Sequence, residues 1–154
     1  MVQKMAVPVA EEAFKTLRDA FLSPKTLSYP LPNAPTRVRT DASGAGVGAV
    51  REQLQDGEWR PITYHSQKLT PQQRAMLAPH RELYAIKAAI CKWADWLRGM
   101  AFYVQTDHKP LEGLFNEKPK YEAEIIRRWC MLISELTKDI RGIPGTENEA
   151  ADYL

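Results

Sequence analysis

The order in which the hydrophobic periodicity changes along the chain constrains the fold more than any other feature. Three short strand-like runs come first, at Thr36–Ala42, Gly46–Glu52 and Glu58–Ser66. The second and third are separated by Asp56-Gly57, a dipeptide typical of tight β-hairpins. We therefore expect these three runs to form an antiparallel meander.

Helical and strand-like segments alternate through the second half of the chain. Thr70 followed by Pro71 is typical of a helix start, and Pro79 interrupts before a long helix that reaches about Arg98 and stops at Gly99. The apolar residues of this helix recur at helical spacing and predict its buried face. They are Leu83, Ile86, Ile90, Trp93 and Leu97.

A fourth strand is expected over residues 101–107, with Phe102, Val104 and Thr106 on one face. Helical patterns return at about 109–115 and 122–136, a short strand at 138–143, and the start of a helix at 147–154. An N-terminal helix over 9–22 and a proline-punctuated connector over 23–35 precede the meander. The apolar stripe of the helix at 122–136 is expected to comprise Ile125, Trp129, Leu132 and Leu136.

A meander followed by strand–helix–strand crossovers implies a mixed sheet covered by helices, which is an α/β domain. The 154 residues suffice for one such domain with its own core. No apolar run is long enough to span a membrane, and no Cys/His cluster has zinc spacing. Cys91 and Cys130 both fall in helical sequence and are expected to be buried free thiols of a reduced compartment, with one disulfide or a redox pair as the alternative. The composition as a whole predicts an intracellular protein, of the cytoplasm or the nucleus.

Four acidic residues occupy positions that favour shared chemistry. Asp41 lies on the first strand, Asp107 ends the fourth, Glu82 lies one turn into the long helix, and Asp152 lies near the start of the last helix. The two strand acids would be adjacent if these strands are parallel neighbours, and their repulsion would raise their pKa values unless a cation neutralised it. Clustered carboxylates without His or Cys suit Mg²⁺ or Mn²⁺.

Taken singly, each acid also has an ordinary structural interpretation. Those interpretations are a turn cap for Asp41, an ion pair with Arg81 or Lys87 for Glu82, a helix cap for Asp107 and a solvated position for Asp152. Only the joint placement on strand, helix, strand and helix favours one site.

Several sequence blocks in this order and spacing carry a family resemblance. They are TDAS at 40–43, GVGAV at 46–50, YHSQKLTP at 64–71, RELYAI at 81–86, TDHKPL at 106–111, RW at 128–129, PGTEN at 144–148 and AD at 151–152. The chain resembles the ribonuclease H domain of reverse transcriptases from gypsy-type LTR retrotransposons, or a domesticated derivative of one. The resemblance covers nearly the whole chain from about Glu11.

The resemblance implies a ribonuclease H-like fold, with a five-stranded mixed sheet in the order 3-2-1-4-5, helices on both faces and a truncated final helix. It divides the chain into residues 1–35, a helix and proline-rich connector similar to the end of a connection region, and residues 36–154, the ribonuclease H-like domain. The polymerase region of the same polyprotein or a host protein is an implied partner, and a membrane is not.

The resemblance also implies a metal-dependent endoribonuclease that cleaves the RNA strand of RNA–DNA hybrids during reverse transcription. Its catalytic and metal-binding residues would be Asp41, Glu82, Asp107 and Asp152, which would hold two Mg²⁺ ions, with Mn²⁺ able to substitute. Its hybrid-binding residues would be Ser43, Gly44, Asn148, Arg81 and His108. Asn148 could instead be only a helix cap.

Two features depart from the family pattern. Gly142 stands where family members carry a His, or a Tyr in the gypsy-type branch, ten residues before the last catalytic Asp. The chain stops two residues after Asp152, where the family continues into a longer helix. A second hypothesis therefore stays open: a domesticated module with weak or no catalysis that acts by binding protein or nucleic acid.

Overall fold

Five strands form one mixed sheet in the computed structural model, which describes residues 27–107 and 124–142. The strands are β1 Thr36–Ala42, β2 Gly46–Gln55, β3 Glu58–Lys68, β4 Phe102–Thr106 and β5 Ile140–Gly142. Their spatial order is β3-β2-β1-β4-β5, which confirms the expected 3-2-1-4-5 arrangement. The β1–β2 and β2–β3 pairs are antiparallel. The β1–β4 and β4–β5 pairs are parallel.

The hairpin between β2 and β3 turns at Asp56-Gly57, as the sequence predicts. Both residues have positive φ, 52° and 77°, as a two-residue type I′ turn requires. Both strands are longer than expected. β2 continues up to the turn, where Gln55 pairs with Glu58, and β3 continues at its far end to Lys68, which pairs with Gly46. The pairing shifts register once, between Arg51 and Glu52.

The described helices are α1 Pro71–Arg74, α2 Ala78–Lys92, α3 Ala94–Leu97 and α4 Glu124–Leu136. Thr70 caps α1 through a capping box with Gln73. The expectation of one continuous helix to Arg98 is wrong, because Trp93 leaves helical geometry, with φ −109° and ψ 19°, and separates α2 from α3. Gly99, with φ +82°, lies just beyond α3, as its role as a stop requires.

The hydrophobic core lies between one face of the sheet and the helices α2 and α4. The predicted stripe of α2 and α3 is buried throughout, from Leu83 to Leu97. It packs on the inward residues of the central strands, among them Val38, Val47 and Val104. α4 packs against α2, where Tyr84 and Trp129 meet with their ring centroids 5.3 Å apart.

The predicted stripe of α4 is correct at Trp129 and wrong at Ile125 and Leu132, a difference of about one residue of rotation. Ile125 and Leu132 are exposed, and Leu136 is only partly buried. The buried residues follow the i, i+3, i+4, i+7 spacing of an amphipathic helix. They are Ile126, Trp129, Cys130 and Ile133. The α4 sequence contains two overlapping apolar stripes. The stripe that packs into the core is the one that includes Cys130.

The two cysteines differ in exposure. Cys130 is buried as expected, but the expectation that Cys91 is buried is wrong. Cys91 follows Ile90 on α2, and one residue of helical rotation turns it away from the buried stripe. The two cysteines are not joined in a disulfide.

The second face of the sheet carries polar and aromatic side chains instead of an aliphatic core. Glu52 accepts from Arg37 Nε at 3.0 Å and pairs with Arg39 Nη1 at 3.5 Å. The Arg37 guanidinium also lies over the Trp59 ring, 4.1 Å from its centroid. Helices were expected on both faces, and the two long described helices both pack into the core on the first face.

The connector leading into β1 lies against the sheet. Ser28 N donates to Pro61 O, and Leu31 N donates to Gln53 Oε1, each at 2.8 Å. The domain boundary at residue 35 stays a prediction. The expected helices at 9–22, 109–115 and 147–154 lie outside the described residues. Among the residues described, no helix has both the length and the apolar character needed to cross a bilayer.

Candidate functional site

Parallel pairing of β1 with β4 brings two carboxylates to the same edge of the sheet. Thr40 pairs with Thr106, and each threonine immediately precedes an aspartate. Asp41 and Asp107 therefore lie side by side on neighbouring strands. This adjacency is what the sequence analysis required for the two acids to share one site.

Glu82 approaches the same point from α2. One carboxylate oxygen from each of Asp41, Glu82 and Asp107 lies within 4.8 Å of the other two. The three differ in solvent access, since Glu82 is buried, Asp41 is half-buried and Asp107 is exposed. The cluster is therefore anchored in the core and open on one side.

Burial and like charge together change the ionisation of Glu82. They raise its pKa to about 9, first because the carboxyl is desolvated and then because Asp41 and Asp107 repel its charge. The Ala42 backbone N–H and the Arg81 charge oppose this rise. Ala42 N also donates to Asp41 Oδ1 at 2.9 Å. A backbone donor of this kind belongs to the site but leaves no signal in the side-chain pattern.

The chemistry of this donor set fits a divalent cation. Glu82 Oε2 is buried and has no hydrogen-bond partner among the described residues. An isolated buried carboxylate oxygen beside two further carboxylates is costly without a positive charge. Because all the candidate ligand atoms are oxygens, Mg²⁺ and Mn²⁺ are the ions that this cluster suits. Asp41, Glu82 and Asp107 could hold such an ion.

The predicted substrate residues Ser43 and Gly44 lie in the turn that follows β1. The Ser43 hydroxyl accepts from Ala45 N at 3.2 Å and Gly46 N at 3.0 Å, and donates to Gly46 O at 3.2 Å. Ser43 thus shapes the turn beside Asp41. Gly44 is exposed, and a Cβ added there would meet no atom within 4 Å. The space beside this turn is open.

Arg81 is engaged with the protein's own backbone. Its guanidinium donates to the carbonyl oxygens of Arg74 and Met76, which ties the α1–α2 connection to α2. Its predicted role in substrate binding stays a prediction. The remaining predicted site residues, His108, Asn148 and Asp152, lie outside the described residues.

Comparison with known proteins identifies the family. The sequence profile of the family described as "RNase H-like domain found in reverse transcriptase" matches residues 31–136, more than half of the chain. The chain belongs to this family.

Curated relatives of this RNase H-like domain are transposon polyproteins. The Transposon Tf2-3 polyprotein of Schizosaccharomyces pombe is 27% identical over 150 residues, which is 96% of this chain and 11% of the polyprotein. The Tf2-4 polyprotein of the same organism matches to the same extent. The chain thus spans about a tenth of the length of these relatives, and the resemblance to a retrotransposon ribonuclease H domain is confirmed.

Solved structures show the same fold. RNase H1 from Halobacterium salinarum NRC-1 aligns with a TM-score of 0.58 at 20% identity, over 78% of this chain and 93% of that one. The foamy viral protease-reverse transcriptase in complex with dsDNA aligns with a TM-score of 0.59 at 19% identity, over 77% of this chain and 25% of that one. The expected ribonuclease H-like fold is confirmed.

Proposed function

We propose that this RNase H-like domain is a divalent-metal-dependent endoribonuclease that cleaves the RNA strand of RNA–DNA hybrids. The observation that carries the proposal is the convergence of Asp41, Glu82 and Asp107, with one buried carboxylate oxygen left without a hydrogen-bond partner. A neighbour of the same fold supports the substrate class, since LC11-RNase H1 was solved in complex with an RNA/DNA hybrid. It aligns with a TM-score of 0.53 at 17% identity, over 77% of this chain and 92% of that one.

The four acids have different places in this proposal. Asp41, Glu82 and Asp107, with Asp152 as an expected fourth ligand, hold two Mg²⁺ ions, for which Mn²⁺ can substitute. Bound there, such ions supply activation of water and stabilisation of the leaving oxygen of a phosphodiester. Buried Glu82 anchors the ligand set, whereas exposed Asp107 faces the side from which a phosphate can approach.

The turn after β1 is the proposed contact with the hybrid. Hybrids present 2′-hydroxyl groups in a wide and shallow minor groove. A protein that contacts these hydroxyl groups needs backbone and small side chains that approach the groove closely. Exposed Gly44, with open space above its Cα, and Ser43 beside it provide such an approach. Arg81, His108 and Asn148 are further proposed contacts. The polymerase region of a polyprotein and a host protein are proposed as partners.

A cleavage assay with a matched control tests the nuclease proposal. A hybrid labelled on its RNA strand should be cut in Mg²⁺ or Mn²⁺ and left intact in EDTA, while duplex DNA of the same sequence is not cut. Asp107→Asn should lower the rate at least a hundredfold. Asp56→Asn makes the same chemical change in the exposed β2–β3 turn and should leave the rate unchanged. Equal rates for the two variants would contradict the proposed site.

The position of Gly142 favours the second candidate, a binding module with weak catalysis. Gly142 pairs with Thr106 and so lies next to the strand position that precedes Asp107. It offers no side chain for proton transfer, a contribution typically worth ~10²–10⁴-fold. We expect Gly142→Tyr to raise the cleavage rate by on the order of tenfold, measured on the labelled hybrid. If both proteins bind the hybrid and neither cuts it, the binding module is the better description.

A further inference from the structure

A second site lies at the opposite end of β1 from the acids. A cavity of about 310 Å³ is lined by Thr36, the first residue of β1, and by Arg51 of β2. Thr36 precedes Asp41 by five residue positions, about 17 Å along β1. Most of the wall is apolar and comes from Pro30, Leu31, Trp96 and Met100. The volume falls at the small end of ligand-binding cavities.

Arg51 supplies the positive charge of this cavity and has no counter-charge in the described structure. Only 7% of the residue is exposed. Its guanidinium carbon lies 5.0 Å from the ring centroid of Trp96 and 5.8 Å from that of Trp93. Within residues 27–107 and 124–142, no carboxylate pairs with it and no hydrogen bond reaches its side chain. Burial lowers the pKa of the guanidinium, with no neighbouring acid to offset the effect.

The two arginines of the opposite sheet face show what is unusual about Arg51. Arg37 and Arg39 are also largely buried, and both reach the carboxylate of Glu52. The tryptophan rings offer Arg51 a cation–π attraction, which is weaker than the pairing with a carboxylate that Arg37 and Arg39 have. An anion in the cavity would complete this arrangement.

The rim of the cavity is apolar and open. Trp96 is 60% exposed and Leu31 is 49% exposed. A small free acid confined to 310 Å³ would leave the outer parts of both side chains uncovered. A polypeptide that crosses the opening would cover them. A nucleic-acid backbone fits poorly, since phosphates are recognised by several surface cations and this cavity is lined by one buried arginine and mainly apolar walls.

We propose that this cavity binds a Glu or Asp side chain of a partner polypeptide, with flanking apolar residues packed on Trp96 and Leu31. The carboxylate pairs with the Arg51 guanidinium, and the neighbouring residues cover the apolar rim. This docking site is independent of the proposed nuclease, because none of its residues belongs to the acidic cluster.

The test uses the whole chain, labelled with ¹⁵N, and blocked peptides as probes. N-acetyl-Leu-Glu-Leu-amide should shift the Trp96 indole N–H resonance and nearby backbone amides in a saturable way. N-acetyl-Leu-Gln-Leu-amide, which differs only in charge, should bind at least tenfold more weakly. Arg51→Met should abolish the preference for the charged peptide. Arg141→Met is the matched control, since Arg141 stacks 3.8 Å from the Tyr103 centroid but is already paired with Asp139.

Several outcomes would overturn the proposal. These are equal binding of the Glu and Gln peptides, an unchanged preference in folded Arg51→Met, and no saturable binding by either peptide. Tighter binding of 3-phenylpropionate than of the Glu peptide would indicate a small-acid site, and displacement of the peptide by a 12-nucleotide single strand would indicate a nucleic-acid site. If Arg51→Met does not fold, Trp96→Ala, a change at an exposed side chain, should weaken the Glu peptide at least fivefold, read on the backbone amides.

Discussion

The carboxyl group of Glu82 makes the stability of the metal-free protein depend on pH. Its pKa rises from 4.5 to about 9 on folding, so the folded state holds a proton that the unfolded state has released between these values. The free energy of unfolding should therefore fall as pH rises from about 5 to 9, by at most about 1.4 kcal/mol per pH unit for this group. Urea unfolding in EDTA at several pH values should show this slope, and Glu82→Gln should flatten it. Parallel curves for the two proteins would be inconsistent with this environment for Glu82.

Binding of Mn²⁺ should stabilise the folded protein through the same cluster. A ligand at ten times its Kd adds about 1.4 kcal/mol to the free energy of unfolding. For a chain of this size we expect a rise in Tm of about 4 °C, measured by differential scanning fluorimetry in millimolar Mn²⁺. Asp107→Asn should lose most of the rise, and the turn variant Asp56→Asn should keep it. A full rise in Asp107→Asn would place the ion elsewhere.

At the scale of single residues, the sequence predicts part of the site and misses its electrostatics. Asp41 and Asp107 could be placed together only from the strand order that the family resemblance implies, in which β1 and β4 are parallel neighbours. The interactions of Arg81 could not, because its bonds go to backbone carbonyls of a connection whose path has no sequence pattern. The pKa of Glu82 depends on how deeply its carboxyl group is buried and on its distance from Asp41 and Asp107, which periodicity does not measure.

At the scale of elements, the β2–β3 turn depends on glycine at one position. Gly57 has φ +77°, a region that residues with a Cβ adopt at a cost. Gly57→Ala should lower the free energy of unfolding by about 1 kcal/mol, measured by urea unfolding. Gly44→Ala is the control, since Gly44 has open space around a Cβ and no positive φ, and it should change stability by less than half as much. Equal losses would contradict this account of the turn.

Element boundaries were predicted less well than element order. All described strands and long helices occur in the predicted order. The predicted end of the long helix at Arg98 is wrong, because α2 ends at Lys92, where Trp93 turns into the core. α4 has two overlapping apolar stripes, and only contact with Tyr84 and the strands decides between them. Such choices are made by tertiary packing, which one segment of sequence does not contain.

At the scale of the whole molecule, the two faces of the sheet are stabilised by different interactions. The first face is a hydrophobic core, and the second relies on Glu52, which serves two largely buried arginines. Glu52→Gln should lower the free energy of unfolding by about 3 kcal/mol, because both cations lose their buried partner. Glu58→Gln removes an exposed ion pair with Arg60, 3.8 Å long, and should change stability by less than about 0.5 kcal/mol. Denaturant unfolding measures both, and equal losses would contradict the distinction.

Because Cys91 is exposed and Cys130 is buried, the reactivity of the native cysteines can report on local unfolding. A maleimide dye should attach rapidly to Cys91 on the native protein, at a defined position on α2, nine residues after Glu82. Cys130 should react only when α4 separates from the core, so the rate of its modification measures that opening directly. A donor on Cys91 paired with a labelled oligonucleotide would then report the arrival of nucleic acid by energy transfer, without any engineered cysteine.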